Sequence, residues 1–148
     1  MSKNTCGDCT LCCELLPIPE LGKPINTLCG NCTIKKGCNI YENRPNSCIN
    51  FDCVYLSTEE MDEHLRPDNC NVIFERITTR IYLALCHYQD TEAYQSKPVM
   101  EHIQDLNEKG ISVIASSFTK EPNEFFLAEG HKKEIVQRIV MNEYEKIK

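Results

Sequence analysis

The sequence predicts an α+β protein: an irregular, cysteine-rich N-terminal module packed on a small antiparallel or mixed sheet with two helices. Two observations predict it. Nine of the eleven cysteines fall within residues 1–53, a stretch with little apolar periodicity and many turn formers, among them Pro17, Pro19, Pro24, Pro45, Gly22, Gly30 and Gly37. After Cys53 the pattern changes to helix and strand periods, which divides the chain into a module of residues 1–53 and an α+β layer of residues 54–148, expected to form one compact unit. With 148 residues and 41% hydrophobic content, the chain has enough apolar surface for one ordinary domain.

The elements of the second part follow in order. Ser57 and Glu60 are spaced as a capping box, and the acidic residues through Glu63 suit a first turn, which predicts a short helix stopping before Pro67. Residues 71–77 and 80–88 are rich in β-branched and aromatic side chains around Thr78 and Thr79, predicting a hairpin without a glycine turn. From Pro98, the residues Val99, Ile103 and Leu106 share one helical face, closed by Lys109 and by Gly110 at the left-handed cap position. Residues 111–115 and 124–127 read as two further strands. Ile135, Val136, Ile139, Val140 and Tyr144 lay an apolar stripe along a terminal helix. A sheet of about four strands backed by two helices would bury these faces in one core.

The module holds Cys6, Cys9, Cys12, Cys13, Cys29, Cys32, Cys38, Cys48 and Cys53. Thiolates are the softest ligands a protein offers, and this many at short spacings point to bound metal, either zinc or an iron–sulfur centre. Disulfides are the competing use of dense cysteine. Against them, the count is odd, Cys12 and Cys13 would bridge to each other only with strain, and no apolar leader follows Lys3. The expected setting is the cytoplasm, with no membrane association. Such a segment buries too little to repay its ordering entropy, so ion coordination is expected to contribute to its folding.

Cys6 with Cys9, and Cys29 with Cys32, form bidentate hooks, because two intervening residues let both sulfurs reach one ion. Neighbouring side chains usually diverge, so Cys12 and Cys13 are expected to serve different ions, or one of them to bridge. Three arrangements fit: two four-cysteine zinc sites, a three-zinc cluster using all nine thiolates, or a four-cysteine iron–sulfur centre with or without a zinc elsewhere. The ferredoxin run is not matched, since Cys13 follows Cys12 directly. Arg44, beside Pro45 and between Cys38 and Cys48, is a candidate donor to the thiolates.

Charge narrows the partners. Five basic and five acidic residues balance within the module, leaving the whole formal charge of −6 in residues 54–148. Thiolates around divalent ions add negative charge, and no basic helix is present, so nucleic acid is not an expected partner. The chain has no G-x-S-x-G, no H-E-x-x-H and no phosphate loop, and no catalytic residue is assigned. Cys86 reads as core packing, and on a strand it faces away from His87, which defeats a nucleophile–base pair. Cys70 falls beside the first strand or near the cluster. His64, His102 and His131 read as solvated or capping residues.

Cys6-Gly-Asp-Cys9-Thr-Leu-Cys12-Cys13, then Cys29-Gly-Asn-Cys32, Gly37-Cys38-Asn-Ile-Tyr41-Glu-Asn-Arg44-Pro45-Asn-Ser-Cys48 and Phe51-Asp-Cys53, closely resemble the CxxCxxCC family of zinc- or iron-chelating cysteine-cluster proteins. The resemblance covers residues 6–53 and implies chelation, with no general activity. A related cluster occurs in flagellin lysine N-methylases, but this chain lacks a glycine-rich loop for a methyl donor, and that activity is not implied. Two functions follow as expectations. One is a multinuclear zinc–thiolate cluster of two or three ions with a structural or interaction role, its sheet layer offered to a protein partner. The alternative is an iron or iron–sulfur protein in electron transfer, metal handling or redox catalysis.

Overall fold

The computed structural model describes residues 9–51, 53–58, 61–117 and 120–145. Among them the module contributes short elements: α1 (Leu11–Leu15), the two-residue strands β1 (Cys32–Thr33) and β2 (Gly37–Cys38), and α2 (Asn46–Ile49). Then come α3 (Val54–Ser57), α4 (Pro67–Cys70), β3 (Val72–Thr78), β4 (Ile81–Cys86), α5 (Lys97–Glu108), β5 (Ser112–Ser117), β6 (Lys120–Phe126) and α6 (Lys133–Glu145).

The main sheet runs in the order β3-β4-β5-β6 and is mixed. β3 and β4 form the expected antiparallel hairpin, pairing Ile73 with Leu85 and Glu75 with Leu83. Its turn falls one residue later than the sequence suggests, at Thr79 and Arg80, where the Arg80 N–H donates to Thr78 Oγ1 at 3.1 Å and closes the bend without glycine. The chain then crosses through α5, so β5 lies parallel to β4. β6 returns antiparallel to β5. All six residues of β4 are buried, as a central strand covered on both faces requires.

The period-two alternation sends the strand side chains into two cores. On one face Val72, Phe74, Tyr82, Ala84, Cys86, Val113 and Ala115 meet Val99, Ile103 and Leu106 of α5. On the other, Ile73, Ile81, Leu83, Leu85 and Ile114 meet Val136 and Val140 of α6 together with Leu11 and Leu15 of α1. The two long helices thus cover opposite faces, and the cysteine-bearing α1 docks beside α6. α5 ends as expected: Gly110 has φ +82°, the Ile111 N–H donates to Leu106 O at 2.9 Å, and the Gly110 N–H donates to Asn107 O at 3.0 Å.

Three expectations are corrected. Ser57 ends α3 rather than opening a helix, because Val54 and Tyr55 bury themselves one turn earlier; Glu60 lies outside the described residues. Pro67 opens α4 at its first turn instead of stopping a helix, a position where its missing N–H costs nothing. Ile135 is 50% exposed, so the inward stripe of α6 is Val136, Ile139 and Val140; the side chain of Tyr144 is not among those described. Among the described residues, no helix is long and apolar enough to cross a membrane.

Candidate functional site

α1 has only five residues and lacks a side-chain cap, so it draws its stability from packing. Leu11 and Leu15, four residues apart, are 2% and 0% exposed against the sheet. Glu14 adds a polar anchor: its carboxylate accepts from Thr10 Oγ1 at 3.4 Å and lies 3.4 Å from His87 Nε2. The His87 Nδ1 accepts the Gln89 N–H at 3.0 Å, which leaves Nε2 as the protonated nitrogen facing Glu14. The helix is thereby fixed in rotation, with Cys12 and Cys13 carried toward the rest of the module.

The remaining thiols arrive from three directions. The Cys29 N–H donates to the Cys13 carbonyl at 2.9 Å, and the Cys32 N–H donates to the Cys29 carbonyl at 3.0 Å, closing the second hook as a turn. Cys38 pairs with Cys32 across β1 and β2, which puts both side chains on one face of that ribbon. Cys48 lies in α2, and a clasp brings α2 in: Glu20 accepts the Ser47 N–H at 2.8 Å and the Ser47 hydroxyl at 2.6 Å. Those two bonds hold the Glu20 carboxyl below its ordinary range. As a result Cys29 and Cys32 are buried with Ile18, and Cys13 and Cys48 pack against them.

The electrostatics of this group centre on Cys13. Its thiol is lowered to about 6, first because the Cys12 thiol donates to it, with the Cys32 thiol and the charge of Lys23 acting in the same direction against burial and Glu14. Cys32 is pushed up to about 12 by burial and by the neighbouring Cys13, Cys29 and Cys38. Cys48 is raised by burial and then by Cys13, Cys29, Cys38 and Glu20. Without an ion, then, one thiolate is stabilised by thiols that stay protonated.

Cys9 has other surroundings. It packs with Cys12 and Phe51 on the α6 face of the sheet. Burial pushes its thiol up to about 11, opposed by the backbone N–H groups of Leu11 and Asp68 and by the Arg66 side chain. Arg66 itself pairs with Asp68: its Nη2 donates to Oδ2 at 2.9 Å, while its Nε lies 2.8 Å from Oδ1 as an ion pair without hydrogen-bond alignment. Cys53 pairs with Glu75 at the edge of β3. Cys6 lies outside the described residues.

The donor chemistry suits a soft or borderline ion. The geometry does not close around one: among the described residues, no three His, Cys, Asp or Glu side chains form a group able to hold a metal.

No family model, curated protein or solved structure matches this chain.

Other residues fall differently from expectation. Arg44 supplies no donor to a thiol among the described residues; its Nε donates to the Tyr41 carbonyl at 2.9 Å and its guanidinium lies 4.0 Å from the Tyr41 ring centroid. The cations at the thiols are Lys23 and Arg66, and sequence reasoning missed both roles. A lysine between Gly22 and Pro24, inside the module, was the available signal for the first. Cys70 and Cys86 are buried in the core on the α5 side, pushed up by burial to about 12 and about 11. Cys70 donates its thiol to the Val72 carbonyl at 3.4 Å. His102 packs edge-on to Phe74, with burial lowering its pKa, rather than being solvated. Ser112 and His131 are hydrogen-bonded, but Ser112 is fully buried and also accepts the Ala128 N–H at 2.9 Å, so the pair is structural.

Proposed function

We propose that this chain is a zinc–thiolate protein of the CxxCxxCC kind, with a centre built on Cys13, Cys29, Cys32 and Cys48 and flanked by Cys38 and Cys12. Cys6, Cys9 and Cys53 serve the remainder of a set of two or three ions. The observation that supports this reading is the meeting of four cysteines from three separate segments around Ile18. The likeness of residues 6–53 to that family supports it through spacing alone. A modest closing movement of α2 and the β1–β2 ribbon would bring the sulfurs to one ion, with loss of the thiol protons.

The role in this reading is structural. Zinc has no redox chemistry, and a closed thiolate shell leaves no position for a substrate. The metal would hold a segment poor in apolar core, which presents its surface to a protein partner in the cytoplasm. Elemental analysis and a visible spectrum of tag-free protein purified without oxygen test this. Two or three zinc per chain without colour is the expected result. Iron with visible absorbance would move the protein to electron transfer, metal handling or redox catalysis, and a metal-free, fully folded chain would overturn the reading.

A further inference from the structure

A lysine is seldom as buried as Lys23, which is 8% exposed, because its ammonium loses hydration unless polar partners and opposite charge replace water. Lys23 has both. Its Nζ donates to the carbonyl of Leu16, the residue that ends α1, and to the Pro24 carbonyl at 3.3 Å. Its backbone pairs with Ile18, the residue around which Cys13, Cys29, Cys32 and Cys48 pack. Burial lowers its pKa, opposed by the charges of Cys29, Cys13, Cys12 and Cys48. The ammonium thus ties down the C-terminal end of the cysteine-bearing helix, and its residue is paired to the centre of a cluster that takes cysteines from three segments.

We propose that Lys23 is a positioning residue of the thiolate centre, a built-in counter-charge that holds α1 at Leu16 and offsets the negative charge of the thiolates when they hold an ion. This rests on the reading of the centre given above. Four thiolates on one divalent ion leave an excess of two negative charges, which is costly in a partly buried site. An ammonium fixed beside them lowers that cost. As an ammonium it has no lone pair to offer, so Lys23 is not itself a ligand.

Cobalt-loaded wild type, Lys23→Gln, Lys23→Met and Lys23→Arg provide the test. Gln keeps hydrogen-bond donors and loses the charge; Arg keeps the charge. The measurements are the rate of cobalt transfer to a chelator and the energy of the thiolate-to-cobalt absorption band. Gln and Met variants are expected to release cobalt about 10- to 100-fold faster. Their band moves to lower energy, because thiolates with less positive charge nearby give up electron density more easily. Arg restores both. The band energy reports on charge, which a purely structural role would leave in place, and if Lys23→Met does not fold, Lys23→Gln decides. A loaded Lys23→Gln protein with wild-type rate and band overturns this assignment alone, as does equal loss in Lys23→Arg. Wild type that takes up neither cobalt nor zinc overturns the centre and this assignment with it.

Discussion

The backbone N–H of Cys29 donates to the carbonyl of Cys13 at 2.9 Å, joining a thiol on α1 to the first cysteine of the next hook across the loop of residues 16–28. With the Glu20–Ser47 clasp, this bond gathers the sulfurs by backbone and carboxylate contacts alone. The fold therefore gathers part of the proposed centre on its own, and in that reading loss of one of these cysteines is expected to have consequences that loss of a core cysteine does not.

Cys48→Ser is expected to lose at least one zinc per chain and about 3 kcal/mol of stability in the metal-loaded protein. Cys86→Ala is the contrast. Cys86 is 2% exposed on the α5 face, so its loss should cost about 1–2 kcal/mol through the cavity left behind and leave the metal content unchanged. Metal analysis beside urea unfolding separates the two, and a Cys48→Ser protein with full zinc and unchanged melting would remove Cys48 from the centre.

The metal-free, reduced protein should have a stability maximum in pH. Cys13 falls from an ordinary 9.0 to about 6 in the fold, so its ionisation stabilises the native state fully above pH 9 and ceases to do so as pH falls through about 6. Cys32 rises from 9.0 to about 12, so the stability from keeping it protonated is present below pH 9 and is lost as pH rises toward 12. Cys9 and Cys70, both raised by burial, add to the alkaline loss. Melting temperature should climb from pH 6 to 9 and decline beyond, with the climb reduced in Cys13→Ser. A climb of the same size in that variant would show that Cys13 is not its source.

What was legible in the sequence was what local pattern controls. The β-branched and aromatic content of residues 71–77 and 80–88 gave the hairpin, and the Val99, Ile103, Leu106 spacing with Gly110 gave α5 and its cap. Parallel pairing of β4 with β5 is decided by how α5 packs, which no local signal encodes. The Ser57 capping pattern lost to burial of Val54 and Tyr55 under the sheet edge, a tertiary gain larger than one cap. In the site, the residue types announced thiolate chemistry, but which thiols meet depends on loop closures such as Glu20 to Ser47, across 27 residues. Arg44 was misassigned because the ring and carbonyl of Tyr41, three residues before it, hold it locally.

Docking of α1 is expected to control the site from a distance. Leu15 is fully buried in the same core as Val136 and Val140 and carries no donor atom for an ion. Leu15→Ala should cost about 2–5 kcal/mol. Because α1 is too short to persist undocked, hydrogen exchange should rise most in residues 10–16 and at Cys29, whose N–H depends on the Cys13 carbonyl. Exchange that rises evenly over the whole sheet would mean that the helix and the sheet open as one unit.

Arg66 and Arg44 provide the last comparison, since the sequence points to Arg44 and the fold to Arg66. Arg66 donates toward the Cys9 sulfur and, through Nη2, to Asp68, whose side chain is 21% exposed. Removing Arg66 leaves that carboxylate partly buried without its cation and its Nη2 donor, so Arg66→Ala should cost about 1–3 kcal/mol. The Cys9 sulfur also loses a donor that favours its thiolate, so Cys9 should react several-fold more slowly with a thiol reagent in the metal-free protein. Arg44 lies against Tyr41 at the surface, and Arg44→Ala should stay within about 0.5 kcal/mol of wild type with no change at any thiol. Mass-resolved alkylation of the two variants reads the outcome residue by residue. Slower labelling of Cys38 or Cys48 in Arg44→Ala, with Cys9 unchanged in Arg66→Ala, would return the thiolate-donor role to Arg44.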